Sequence, residues 1–223
     1  MKQETENTLR EAQLAAFGKI LAGFTHELKN HLAIINEANG LMGDLLSLEG
    51  ENQRANPARL ARIIETIAER ISLANCITNH LNSFAHRMDK PFSTFSINDV
   101  LTEGVALLAR LGRLKNVSLT PSLQKKPPEA STDPALLHFV VFSLLQTILG
   151  AIDNGGEISI TGEQQQNKTA IRISTPDISN VAALAIHPPD QAQALALALR
   201  KMNIQLTEKH TEKGLNFMLI FSA

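Results

Sequence analysis

A chain of 223 residues with 43% hydrophobic side chains carries enough apolar material for one large core or two small ones, and its composition argues against disorder. With 21 Lys and Arg against 22 Asp and Glu, it lacks the charge excess that holds a protein on nucleic acid or anionic lipid, which excludes both as partners. The single cysteine, Cys76, forms no internal disulfide, and Met1 is followed by polar residues, so the expected compartment is the reducing cytoplasm.

Apolar residues at alternating spacings of three and four predict a first helix from about Glu4 to Leu48. Leu14, Phe17, Leu21, Phe24, Leu28, Ile35, Ala38, Met42 and Leu45 form its seam, with His31 the one polar position in it. At 1.5 Å per residue the helix is roughly 65 Å long and needs a partner along its length. After a polar segment, Asn56 and Pro57 supply an N-cap and a first-turn proline. Leu60, Ile64, Ile67, Ile71, Ala74, Thr78, Leu81, Ala85 and Met88 then repeat the alternation until Lys90 and Pro91. The two helices make an antiparallel hairpin whose apolar faces stay half wet, so two chains are expected to pair as a homodimeric four-helix bundle. In this register His26 lies on the side away from the seam, with Glu27 beside it and Asn30 one turn on.

Past Pro91 the pattern changes to short strands and shorter helices, which divides the chain into 1–90 and 91–223. Phe92 to Ile97 reads as a strand, and Asn98 and Asp99 as the cap of a helix through Leu111. Val117 to Leu123 is a strand and Gln124 to Ser131 a loop. Thr132 or Asp133 then opens an apolar helix through Ile152. That stretch is interrupted by His138, Ser143, Gln146 and Thr147 and falls short of the roughly 20 residues a bilayer requires, so it reads as a buried helix. Asn154-Gly155-Gly156 is a turn. Two hairpins, Glu157 to Gly162 with Thr169 to Ser174 and Ile204 to Lys209 with Leu215 to Phe221, flank a helix from Asp190 to Met202, completing an α/β sandwich.

An exposed histidine on an amphipathic helix is most often just solvated. His26-Glu27 with His31 has a spacing of five where a zinc-protease site needs four, and His80, His86, His138, His187 and His210 show no metal-ligand spacing. No metal or cofactor is expected to reside in the chain. Cys76 reads as a packed thiol without a histidine neighbour at helical spacing.

The run Phe24-Thr25-His26-Glu27-Leu28-Lys29-Asn30 resembles the H-box of two-component histidine kinases, whose dimerisation and phosphotransfer domain is a helical hairpin. The likeness continues through Phe95-Ser96-Ile97-Asn98-Asp99-Val100-Leu101, the Asp133 to Ile152 helix and Gly155-Gly156-Glu157-Ile158, in the order of the family's ATP-binding domain. It implies that His26 is the phosphoacceptor, that Glu27 handles the ring's proton and that Asn30 orients a phosphoryl oxygen or a water. Three departures fall in the nucleotide pocket. Thr147 stands where the family has its magnesium-binding asparagine, Ser174-Thr175-Pro176-Asp177-Ile178 replaces an Asp-x-Gly-x-Gly strand end, and His187 to Leu197 supplies prolines and alanines in place of a glycine-rich lid. The resemblance is therefore to dimeric phosphorelay phosphotransferases with a degenerate ATP-binding-like domain. It implies relay between His26 and response-regulator receiver aspartates, the receiver bringing the magnesium, with a histidine kinase as an optional further partner. Lys29, Ala33, Glu37 and Gly40 form the expected receiver-docking stripe. The alternatives are a divergent autophosphorylating kinase and a non-catalytic adaptor that inhibits kinases or receivers by docking.

Overall fold

The computed structural model describes residues 2–47, 57–152, 155–165, 168–175, 189–211 and 214–222. The predicted cap at Asn56, the turn residue Asn154, and Asp177 and His187 lie outside them. Two helices come first, α1 (Lys2–Ser47) and α2 (Pro57–Arg87), about 69 and 46 Å long at 1.5 Å per residue. The C-terminal half of α1 half-buries Phe24, Leu28, His31, Ile35, Ala38, Met42 and Leu45, which is the predicted seam. Its N-terminal half departs from the prediction: Leu9, Ala16 and Ile20 are buried, whereas Leu14 and Leu21 are 65% and 53% exposed. The cause is a change of partner, since this half packs on the helices of the sandwich as well as on α2. In α2 the inward line runs Leu60, Ile63, Ile67, Arg70, Ala74, Ile77, Leu81, Phe84 and Met88. Ile64, Ile71, Thr78 and Ala85, predicted to lie in the seam, are exposed. Both lines satisfy the same three-four spacing, and only the partner chooses between them.

The sandwich follows as β1 (Ser93–Ser96), α3 (Ile97–Arg113), β2 (Val117–Ser122), β3 (Glu129–Thr132), α4 (Pro134–Ala151), β4 (Gly156–Gln165), β5 (Lys168–Ser174), α5 (Pro189–Lys201), β6 (Ile204–Thr211) and β7 (Gly214–Phe221). The main sheet has the order β2-β4-β5-β7-β6, with β2 parallel to β4 and the remaining pairs antiparallel. β1 and β3 form a separate antiparallel pair that sets Phe95 opposite Ala130, so Glu129 to Ser131 is strand rather than the predicted loop. The start of α3 also differs. Ser96 is its N-cap residue, the Ile97 N–H donates to the Pro128 carbonyl at 2.9 Å, and the Asn98 carboxamide donates to the Gln124 carbonyl at 2.9 Å instead of capping the helix. Asp133 caps α4 by accepting from the Leu136 N–H at 3.0 Å, with Pro134 in the first turn.

Among the described residues α4 is the one helix long and apolar enough to cross a bilayer, but 78% of it is buried inside the protein, as expected of a core helix. Its Leu137, Leu145 and Ile148 belong to one buried core with Ile158, Ile160, Ile171, Ile173 and Leu219 of the sheet, and the same core extends to Leu9, Ala16 and Ile20 of α1 and Phe84 of α2. The Phe84 ring meets Phe17 edge-on at 5.4 Å and His138 at 4.9 Å. The architecture is a helical N-terminal hairpin followed by an α/β sandwich, and the first helix lies against both parts.

Candidate phosphoacceptor site

α1 is held around His26 by Phe24 and Leu28, which half-bury themselves on one side while the imidazole stays exposed on the other. The Thr25 hydroxyl is spent on its own helix, donating to the Leu21 carbonyl at 2.8 Å. Asn30, one turn on, brings its Nδ2 to 3.2 Å from His26 Nδ1. An amide nitrogen only donates, so Nδ1 accepts, and Nε2 is the ring nitrogen open to a visitor. Turning the carboxamide over presents Oδ1 to the same nitrogen. Nδ1 then carries the proton and Nε2 the lone pair, the tautomer a nucleophilic imidazole needs. Lys29, Asn30, Ala33, Glu37 and Gly40 are all exposed and continue from His26 over roughly 21 Å of helix. A Cβ added at Gly40 would meet open space.

Glu27 is turned elsewhere. It stands eighteen residues, five whole turns, beyond Leu9, so it shares the face of α1 that packs on the sandwich. Its carboxylate lies 2.6 Å from Arg113 in the last turn of α3 and, among the described residues, makes no bond to the imidazole. His31, in the seam, is half-buried, and its Nδ1 has no partner among the described residues.

A second charged group sits where the hairpin joins the sandwich. Arg87, in the last turn of α2, makes a fork with Glu103 of α3, its Nε and Nη2 donating to the two carboxylate oxygens at 2.7 and 2.8 Å. His138 of α4, fully buried, brings Nε2 to 3.3 Å from the same carboxylate, and Arg87 also lies over the Phe95 ring. Burial pushes the Glu103 carboxyl upward, but His138 and Arg87 outweigh it and hold the group below its ordinary range. Burial drives His138 below its ordinary value against the pull of Glu103, so the ring is neutral near pH 7. Bonding to Glu103 raises Arg87.

Of the other histidines, His86 pairs with Asp89 at 3.0 Å on the surface. His80 corrects the reading of Cys76: the thiol is exposed, and His80 Nε2, four residues on, lies 3.5 Å from its sulfur. No group of three metal-binding side chains occurs among the described residues. Neither Arg113 nor Glu103 was singled out from the sequence. The face shared by Leu9, Ala16, Ile20 and Glu27 is the signal that could have pointed to the first of them.

The residues at the degenerate nucleotide positions are engaged with their own fold. The Thr147 hydroxyl donates to the Ser143 carbonyl at 2.9 Å, Thr175 is buried with its N–H on the Leu215 carbonyl at 2.9 Å, and Leu195 is buried in the core.

No protein-family model matches the chain. Its sequence is similar to histidine kinases of two-component systems. It is 25% identical over 159 residues to the sensor histidine kinase ZraS of Klebsiella oxytoca, covering 71% of this chain and 33% of that protein. It is 23% identical over 174 residues to the signal transduction histidine-protein kinase AtoS of Escherichia coli K12, covering 77% of this chain and 27% of that one. The chain thus spans about a third or less of these relatives' length. Among solved structures, histidine kinase ThkA in complex with the response regulator protein TrrA aligns over 99% of this chain and 65% of that one, at 18% identity and a TM-score of 0.45.

Proposed function

We propose that the chain is a two-component phosphotransfer protein in which His26 accepts and passes on a phosphoryl group. The observation that carries this reading is an exposed imidazole, one nitrogen covered by Asn30 and the other open, at the head of an exposed stripe. A phosphoramidate formed at Nε2 is reactive enough to hand its phosphoryl group to a carboxylate, so His26 acts as a shuttle. The partner is a response-regulator receiver, docking on Lys29, Ala33, Glu37 and Gly40 and bringing its own aspartate and magnesium. Residues 1–90 form the phosphotransfer hairpin and 91–223 a degenerate ATP-binding-like domain. Two chains pair through the hairpin, burying Leu14, Leu21, Ile64 and Ile71, which lie exposed on a single chain. The cytoplasm, where receivers and free thiols occur together, is the compartment.

For the source of the phosphoryl group, the engaged hydroxyls of Thr147 and Thr175 and the missing glycines support relay from a phosphorylated receiver without bound ATP. A divergent autophosphorylating kinase is the second reading, favoured by the likeness to proteins named as histidine kinases. Incubation with radiolabelled ATP and magnesium, and separately with a phosphorylated receiver, distinguishes them. Label from the receiver alone supports relay, and label from ATP supports the kinase. In both cases His26→Gln is expected to abolish labelling while the dimer persists. Label that survives the substitution, or no label from either donor, refutes phosphoacceptance.

A further inference from the structure

We infer that Cys76 and His80 of α2 form a chelate for a thiophilic divalent cation of tetrahedral preference, zinc being the common example. The site is independent of the phosphoacceptor reading. Four residues along a helix advance the chain by about 6 Å and turn it by about 40°, so the two side chains emerge one above the other on the same face. His80 Nε2 lies 3.5 Å from the Cys76 sulfur. A zinc ion held by a thiolate at about 2.3 Å and an imidazole at about 2.05 Å, with a tetrahedral angle between them, sets sulfur and nitrogen roughly 3.5–3.6 Å apart. The pair already stands at the bite such an ion requires. His86 and Asp89 show the contrast. Their Nδ1 and carboxylate oxygen are 3.0 Å apart, a hydrogen-bonded pair. Imidazole and carboxylate ligands of one zinc would keep roughly 3.4 Å between them.

The relative placing of the two ligands comes from the backbone. Both belong to one uninterrupted helix, the cysteine turns about a single side-chain bond, and His80 is half-buried at the edge of a cleft of about 830 Å³ between α2, β1 and α3. Cys76 is exposed and, as the only cysteine, is not consumed by an internal disulfide. The site stays open when two chains pair, because Cys76 and His80 lie about 140° and 180° around α2 from Ile71, away from the exposed apolar face. Two protein ligands leave two tetrahedral positions to water, the arrangement of a site that exchanges its ion rather than of a structural centre built from four. A thiolate beside an imidazole selects zinc or cadmium over magnesium, which takes oxygen ligands in octahedral geometry. On binding, the sulfur–metal and nitrogen–metal bonds form, water leaves the ion's shell, and the thiol proton passes to solvent.

The test uses the full chain, freed of metal with a chelator and titrated with cadmium chloride, which gives a thiolate-to-metal absorption band in the ultraviolet. The band is expected to saturate at one ion per chain, to be erased by competing zinc and to be untouched by a large excess of magnesium. His80→Ala is expected to weaken cadmium binding by on the order of tenfold or more, since loss even of a ligand's outer partner costs that much. Cys76→Ser is expected to abolish the band, and His86→Ala to leave the titration unchanged. Far-ultraviolet circular dichroism verifies that each variant keeps its helices. An unaltered affinity in His80→Ala means a bare thiol with an adventitious ion only, and overturns the chelate. Saturation at one ion per two chains, displacement by magnesium, or no band at all overturns it as well.

Discussion

Replacing Arg87 by methionine isolates the clamp between hairpin and sandwich. The substitution keeps an unbranched apolar stem over Phe95 but removes two charged hydrogen bonds from Glu103, whose side chain is 7% exposed. Breaking a buried pair from one side costs about 3–5 kcal/mol, and because Arg87 itself is 19% exposed the lower end applies, about 3 kcal/mol. For a chain of this size that corresponds to a fall in Tm of roughly 6–12 °C. Arg87→Met combined with Glu103→Gln leaves no buried charge and keeps a side-chain oxygen beside His138 Nε2, and is expected to recover about 1–2 kcal/mol of that loss. The coupling follows from a double-mutant cycle measured by urea unfolding at pH 7, monitored by far-ultraviolet circular dichroism. A loss below about 1 kcal/mol for the single variant, or a double variant no better than it, refutes the reasoning.

Other outcomes follow from the same geometry. Glu103 and His138 both bind protons less readily folded than unfolded, so their stabilisation is complete at high pH and drains as pH falls, first below the ordinary histidine value of 6.5. His138→Phe is expected to remove that first decline from a plot of Tm against pH, and an unchanged curve would assign the decline to another group. Gly112→Ala sets a methyl group against the Val117 carbonyl and is expected to cost about 1–3 kcal/mol in thermal or urea unfolding; a neutral result would mean that α3 can lift from β2. Asp133→Ala removes the cap of α4 and is expected to cost about 1 kcal/mol by the same measurement. Leu21→Glu places a charge on the exposed apolar face, and sedimentation is expected to report monomers; a dimer that survives would locate the pairing elsewhere.

The elements legible from sequence were those whose evidence is local. The period of α1 and α2, the Asp133-Pro134 start of α4 and the two C-terminal hairpins each carry their signal within a few residues. What escaped depended on remote partners. Ile63 and Ile64 satisfy a three-four repeat equally well, and only the neighbouring helix selects the first. β3 is a strand because β1, thirty-six residues earlier, offers it an edge, and α3 starts at Ile97 because Pro128 accepts its N–H. At the site, the exposure of His26, Lys29 and Asn30 could be read from the heptad. The turning of Glu27 toward Arg113 could not, since it rests on a contact spanning 86 positions. Cys76 and His80 were four residues apart and could have been paired from spacing alone.

The stacking of Leu9 beneath Glu27 has a mechanical consequence. The same stripe of α1 is gripped at both ends by the sandwich, through buried Leu9 with the Glu6–Lys201 pair at one end and through Glu27 at the other. The rod is therefore keyed against rolling. A roll of about 100° that brought His26 into the place of Glu27 would sink the imidazole against α3 and withdraw Leu9 from its seat in the same motion. Torque applied to the first turns of α1 and access to the ring are two ends of one shaft.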